Sequence, residues 1–173
     1  MISTKSMPGM DKGTLNGRVG RILRESLDAE LLRHGFKKGH TVYHRGSENV
    51  LHMVDVQYSR WNDPTSKSFT LNCSIYVPGV TSTFMGRPEP KEPKATDCCI
   101  SARGGMLTES HLDVWWGVSV ETGVEVDKEI AEEITTMVSA VILPFLNRFP
   151  SEMDVAEFLS TDPVEADKYV DPR

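Results

Sequence analysis

Phe69-Thr70-Leu71-Asn72-Cys73-Ser74-Ile75-Tyr76-Val77 alternates apolar and polar side chains from end to end. Successive side chains of a strand point to opposite sides of a sheet, so Phe69, Leu71, Cys73, Ile75 and Val77 make one apolar face. Thr70, Asn72, Ser74 and Tyr76 make the other, and the period of two predicts a half-buried β-strand. Residues 49–59 repeat the pattern: Val50, His52, Val54, Val56 and Tyr58 face one way, Leu51, Met53, Asp55 and Gln57 the other. The turn cluster Trp61-Asn62-Asp63-Pro64-Thr65-Ser66 joins the two segments. Shorter β-rich runs flank them, at Thr41 to Arg45 before and at Cys98 to Arg103 and Val114 to Val120 after.

Helical periodicity frames this block of strands. From Gly17, Val19, Leu23, Leu27 and Leu31 recur at every fourth position, with Ile22 and Leu32 widening the stripe. Arg18, Arg21, Arg24, Glu25, Asp28 and Arg33 cover the other side, and His34-Gly35 ends the helix. A second helix is expected to start at Asp127 as its cap, with Glu129, Glu132 and Glu133 favoured by the helix dipole. Its stripe runs Ile130, Ile134, Met137, Val138, Val141, Ile142, Phe145 and Phe149, and Pro144 predicts a kink or an end. A short last helix begins at Ser151, with Asp154 as partner in a capping box and Val155, Phe158 and Leu159 as its apolar face.

Strands that follow one another without intervening helices favour an antiparallel meander, whose apolar face the helices must cover. The expected fold is a two-layer α+β domain: a sheet of four to five strands with the N-terminal helix and the C-terminal helices on one face. Residues 1–16 read as a flexible arm, 17–160 as the domain, and 161–173 as an acidic tail. Within the domain, 78–97 is a Pro-rich loop holding Pro78, Pro88, Pro90 and Pro93, expected to be mobile.

Composition excludes some roles. The chain has 173 residues and a formal net charge of −6, which argues against nucleic-acid binding through a basic surface. Residues 121–173 hold four Lys/Arg against thirteen Asp/Glu, which reads as a solvated helix face and tail. Three cysteines, two of them adjacent, make a poor disulfide framework and point to a reducing compartment. No apolar run is long enough for a membrane span, and the polar start with Pro8, Gly9 and Gly13 is unlike a signal peptide. The expectation is a cytoplasmic protein.

Certain residues nonetheless match a known pattern. Gly35-Phe36-Lys37 follows the first helix; Cys99, Arg103, Leu107, Asp113 and Trp115-Trp116 come next; then a helix contains Leu143-Pro144. In order and spacing these resemble the bacterial domain-of-unknown-function family four-three-zero-four, over about residues 18–160. The resemblance implies the fold and supplies no activity, cofactor or catalytic residue. The Pro-rich stretch before Cys98 reads as an insert of this member and its close relatives.

Arg103, Asp113, Trp115 and Trp116 are the candidate binding residues. Neighbouring tryptophans on a strand must face opposite sides, so one serves the core and the other is left for a loop, a ligand or a partner. Arginine can stack on an indole or grip a carboxylate, and a plain Arg103–Asp113 pair is the structural alternative. His40, His44 and His52 lie close in sequence, but alternation separates His52 from Asp55, so a hydrogen-bonded histidine is favoured over a metal ligand. Cys73, Cys98, Cys99 and His111 include no C-x-x-C pair, and no metal or cofactor is expected. Phosphate-loop, dinucleotide, nucleophile-elbow and zinc-protease motifs are missing. The expected role is a non-catalytic module that binds a protein, a peptide or a small ligand. The alternative is a small hydrolase with an Arg/Asp/His cleft. Exposed strand edges and the wide apolar helix stripe also allow a homodimer.

Overall fold

The computed structural model describes residues 14–46, 49–161 and 168–169, so most of the expected N-terminal arm and acidic tail lies outside the described residues. Helix α1 covers 15–33 as Leu15–Leu23, a wider π turn at Arg24–Asp28, and Ala29–Arg33. It starts at Leu15 rather than Gly17 because the Thr14 hydroxyl accepts from the Gly17 amide at 3.1 Å and caps it. Val19, Ile22, Leu23, Leu27 and Leu31 are buried as expected, whereas Leu32 is half exposed. In the π turn Ser26 Oγ donates to the Ile22 carbonyl at 2.7 Å. Asp28, expected on the polar side, is buried where Lys38 and the Tyr43 hydroxyl both reach it. Gly35, at φ 81°, takes the left-handed conformation that ends the helix.

Six strands follow among the described residues: β1 Lys37–Lys38, β2 Val42–Gly46, β3 Leu51–Tyr58, β4 Ser66–Tyr76, β5 Ile100–Arg103 and β6 Trp116–Ser119. All pair antiparallel in one sheet, with β1 to β4 forming a meander. The 11-residue β4 is long enough to pair with β6 along its first part and β5 along its second. The expectation of four to five strands falls short because β1, two lysines long, has no periodicity to read. Its lysines also blunt one edge of the sheet. At the other edge the Ser101 amide donates to the Tyr169 carbonyl at 2.7 Å.

Two expected boundaries change. Segment 114–120 narrows to Trp116–Ser119, and Val120 is exposed. Within the expected mobile loop, helix α2 forms over Val80–Met85. Glu89 fastens that stretch by accepting from the Gly79 and Ser82 amides, both at 3.0 Å, and from the Tyr76 hydroxyl.

Helix α3 covers 124–146 as Val124–Met137, a π turn at Val138–Ile142, and Leu143–Leu146. Gly123 holds the cap position; Asp127 lies inside the helix and turns inward to Arg18 and Arg21, so it does not cap. Pro144 has no amide for the carbonyl of residue 140 and its ring crowds that carbonyl, and the helix widens just before it. In helix α4, Glu152–Thr161, the Ser151 amide donates to Asp154 at 3.0 Å and the Asp154 amide to Ser151 Oγ at 3.4 Å, the expected box.

Buried apolar residues form one core between α1, α3 and one face of the sheet. Leu27, Leu31, Val54, Leu71, Cys73, Ile75, Ile134 and Ile142 are fully enclosed there. Each buried Leu or Ile contributes about 2 kcal/mol of transfer free energy. Both long helices lie on that face; on the second face Met53, Thr70, Ser74 and Tyr76 are buried as well, with Val114 bonded to Thr70 and Glu89 to Tyr76.

Candidate functional site

Register places the second face. Val42, Asp55, Asn72 and Arg103 pair in one row across β2 to β5, and His44, Met53, Ser74 and Ser101 in the next. Along this face Asn72 Nδ2 donates to Asp55 Oδ2 and to Gln57 Oε1, each at 3.0 Å. Burial raises the Asp55 carboxyl above its ordinary range, while the Asn72 bond pulls the other way.

Arg103 ends β5 and borders that row. The chain then turns through Gly104–Leu107 and comes back so closely that a Cβ on Gly105 would lie 2.2 Å from the Leu112 carbonyl oxygen. Thr70 Oγ1 donates to the Val114 carbonyl at 2.7 Å and pins the returning strand to β4. These two constraints set Asp113 and Trp115 beside Arg103. Arg103 pairs with Asp113 Oδ2, to which Trp115 Nε1 also donates, at 2.9 Å. The guanidinium sits 5.3 Å from the centre of the Trp115 ring. Three of the four residues singled out in the sequence therefore form a closed triangle, with Trp115 37% exposed.

Trp116 goes the other way. It is 4% exposed, its ring lies 5.9 Å from Phe69, and its Nε1 donates to Glu133 Oε2 at 2.9 Å. The two indoles do face opposite sides, although Trp115 precedes the strand instead of belonging to it.

The other candidates separate. His52 is buried on the core side, where Nε2 meets the Phe149 carbonyl at 2.8 Å and Nδ1 meets Arg45 at 3.2 Å. Burial is the main reason its pKa falls below the ordinary histidine value. Cys73 is fully enclosed, and burial pushes the Cys98 thiol up to about 12 and raises Cys99 as well. Neither neighbour is poised as a thiolate. Among the described residues no three His, Cys, Asp or Glu side chains stand together as a metal site, and no histidine bonds to Arg103 or Asp113. Nor is any described helix long and apolar enough to cross a membrane. The Asp55–Asn72–Gln57 chain escaped notice in the sequence, because only strand pairing brings these residues side by side.

Fold and site together define an α+β domain with an antiparallel sheet, helices on one face, and a polar face bordered by an arginine–indole stack. A family model described as Domain of unknown function (DUF4304) matches residues 27–148, and the chain belongs to that family. The match is narrower at both ends than the sequence resemblance, and it takes in all six strands and Arg103, Asp113, Trp115 and Trp116. No curated protein and no solved structure matches the chain.

Proposed function

We propose that this domain is a non-catalytic binding module that offers Trp115, Arg103 and Asp113, on the side of its sheet away from the long helices, to a partner protein or peptide. The observation that carries this reading is the stacked, hydrogen-bonded Arg103–Asp113–Trp115 triangle. A tryptophan that the core does not need is held in one orientation at the surface by two partners. Tryptophan and arginine are the residues most enriched where interfaces concentrate their binding energy, and a pre-set geometry lowers the ordering cost on contact. The adjoining Asn72, Gln57 and Asp55 supply polar groups for a rim. A cytoplasmic setting goes with this reading and is supported by three free cysteines; the net charge of −6 speaks against nucleic acid as the partner.

The test is quantitative affinity capture with the full chain, Trp115→Ala and Arg103→Ala, after circular dichroism has verified each fold. Proteins enriched by the parent should be lost with both variants. Recovery of the same set from all three baits ends the proposal.

A further inference from the structure

Alternation in β4 has an exception at its start. Counting back from Ile75, Cys73, Leu71 and Phe69, the next inward position is Lys67, paired with the buried Val118 on the helix-covered face. The neighbouring β3 behaves alike: Tyr58 pairs with Phe69 in the inward register yet is 46% exposed. An inward lysine and an uncovered inward tyrosine mean that α1 does not close this end of the sheet. A cleft of about 550 Å³ lies there, between the first turns of α1 and the ends of β2, β3 and β4. Its volume is in the range of small-molecule sites, roughly 300–1,000 Å³.

The lining divides by chemistry. Val19, Leu23 and Val56 give an apolar floor, and Gly20, with no side chain, leaves the α1 wall open. Lys67, Lys38 and His40 stand around it, with no Asp or Glu among the described residues that line it. Lys38 is already matched by Asp28, 2.5 Å away. Among the described residues no carboxylate lies within ion-pair distance of Lys67. Asp63, the nearby acid, turns one carboxylate oxygen to the Thr65 amide and hydroxyl at 2.7 Å and the Ser66 amide at 2.9 Å, and its charge acts on Lys67 only from beyond ion-pair distance. An ammonium over an apolar floor is complementary to an anion with an apolar body.

We infer that this cleft is a binding site for a small organic anion, an aromatic or aliphatic carboxylate or sulfonate, with Lys67 meeting the charged group and the Val19–Leu23–Val56 floor taking the apolar body. The site is on the opposite side of the sheet from Arg103 and Trp115 and stands independently of the partner surface proposed there.

The probe is 1-anilinonaphthalene-8-sulfonate, titrated into the full chain by fluorescence and calorimetry, with decanoate as competitor. One saturable site displaced by decanoate is expected. Lys67→Glu should weaken it at least tenfold, Lys67→Arg should keep it within threefold, and Gly20→Leu should abolish it by filling the wall. Trp115→Ala should leave it unchanged, which separates this site from the partner surface. Circular dichroism checks each fold, and Lys67→Gln replaces the charge reversal if that variant does not fold. The inference is overturned if no saturable binding occurs, if the Lys67 variants bind as the parent does, or if uncharged N-phenyl-1-naphthylamine binds as tightly as the sulfonate.

Discussion

Arg18 of α1 and Asp127 of α3 form a forked ion pair across the helix layer. Arg18 Nε lies 3.2 and 3.0 Å from the two carboxylate oxygens, and a terminal nitrogen lies 2.5 Å from one of them. The remaining Arg18 donors reach the Ser119 carbonyl at 2.8 Å, Thr122 Oγ1 at 3.1 Å and the Gly123 carbonyl at 3.2 Å. One side chain thus ties α1 to the turn between β6 and α3.

Removing either partner leaves the other with little water to replace it. Asp127→Ala is expected to lower unfolding free energy by about 3 kcal/mol, as breaking an enclosed ion pair does. Arg18→Lys keeps the charge and loses the fork, so its cost should be smaller but measurable. Urea unfolding of both variants beside the parent checks the order.

The same pair sets a pH dependence. Hydrogen bonding from Arg18, more than offsetting burial, holds the Asp127 carboxyl below the usual carboxylate range. A group depressed in the folded state stabilises fully above its unfolded value, about 3.9, and that stability is lost as pH falls through the lower folded value. The gap in thermal midpoint between parent and Asp127→Asn should be constant from pH 6 to about 5 and narrow below about 4. A gap that widens on acidification would contradict the assignment.

Asp127 also shows where sequence reading stops. Its partner is 109 residues away, so local rules could only offer it as a cap. The inner face of the sheet was legible because Val54, Leu71, Cys73 and Ile75 obey a strictly local period. The other face of β4 was not: Thr70, Ser74 and Tyr76 are buried too, through contacts such as Val114 on Thr70 and Glu89 on Tyr76 that exist only once 78–114 folds back. Opposed indoles at 115 and 116 were expected from alternation, yet Trp115 lies just before β6 and is oriented by Asp113 and Arg103, contacts that no local period shows. Lys67 was legible in principle, since extending the Phe69–Val77 pattern by one period puts a lysine on the apolar face.

Gly105 is where the site meets the fold. A Cβ there would sit 2.2 Å from the Leu112 carbonyl oxygen and 2.7 Å from the Val114 amide nitrogen, both backbone atoms that move only if the loop moves. Gly105→Ala should cost about 2 kcal/mol or more through overpacking and push Asp113 and Trp115 off Arg103. A shifted Trp emission spectrum together with a lower urea midpoint is the expected result, and an unchanged spectrum would mean the loop does not position the triangle.

The two tryptophans should part company in stability. Trp116 packs on Phe69 within the core, and truncating it to alanine leaves a large void, an effect of about 3–5 kcal/mol. Trp115→Ala removes a ring that is more than a third exposed and whose contacts are Arg103 and Asp113, so less than about 1 kcal/mol is expected. Trp116→Phe should fall between the two: it keeps an aromatic ring against Phe69 but gives up the second ring of a buried indole as well as the bond to Glu133, the bond alone being worth about 1 kcal/mol. Urea titrations of the three variants test the ranking, and a Trp115→Ala cost equal to that of Trp116→Ala would show that the exposed indole serves the fold rather than a partner.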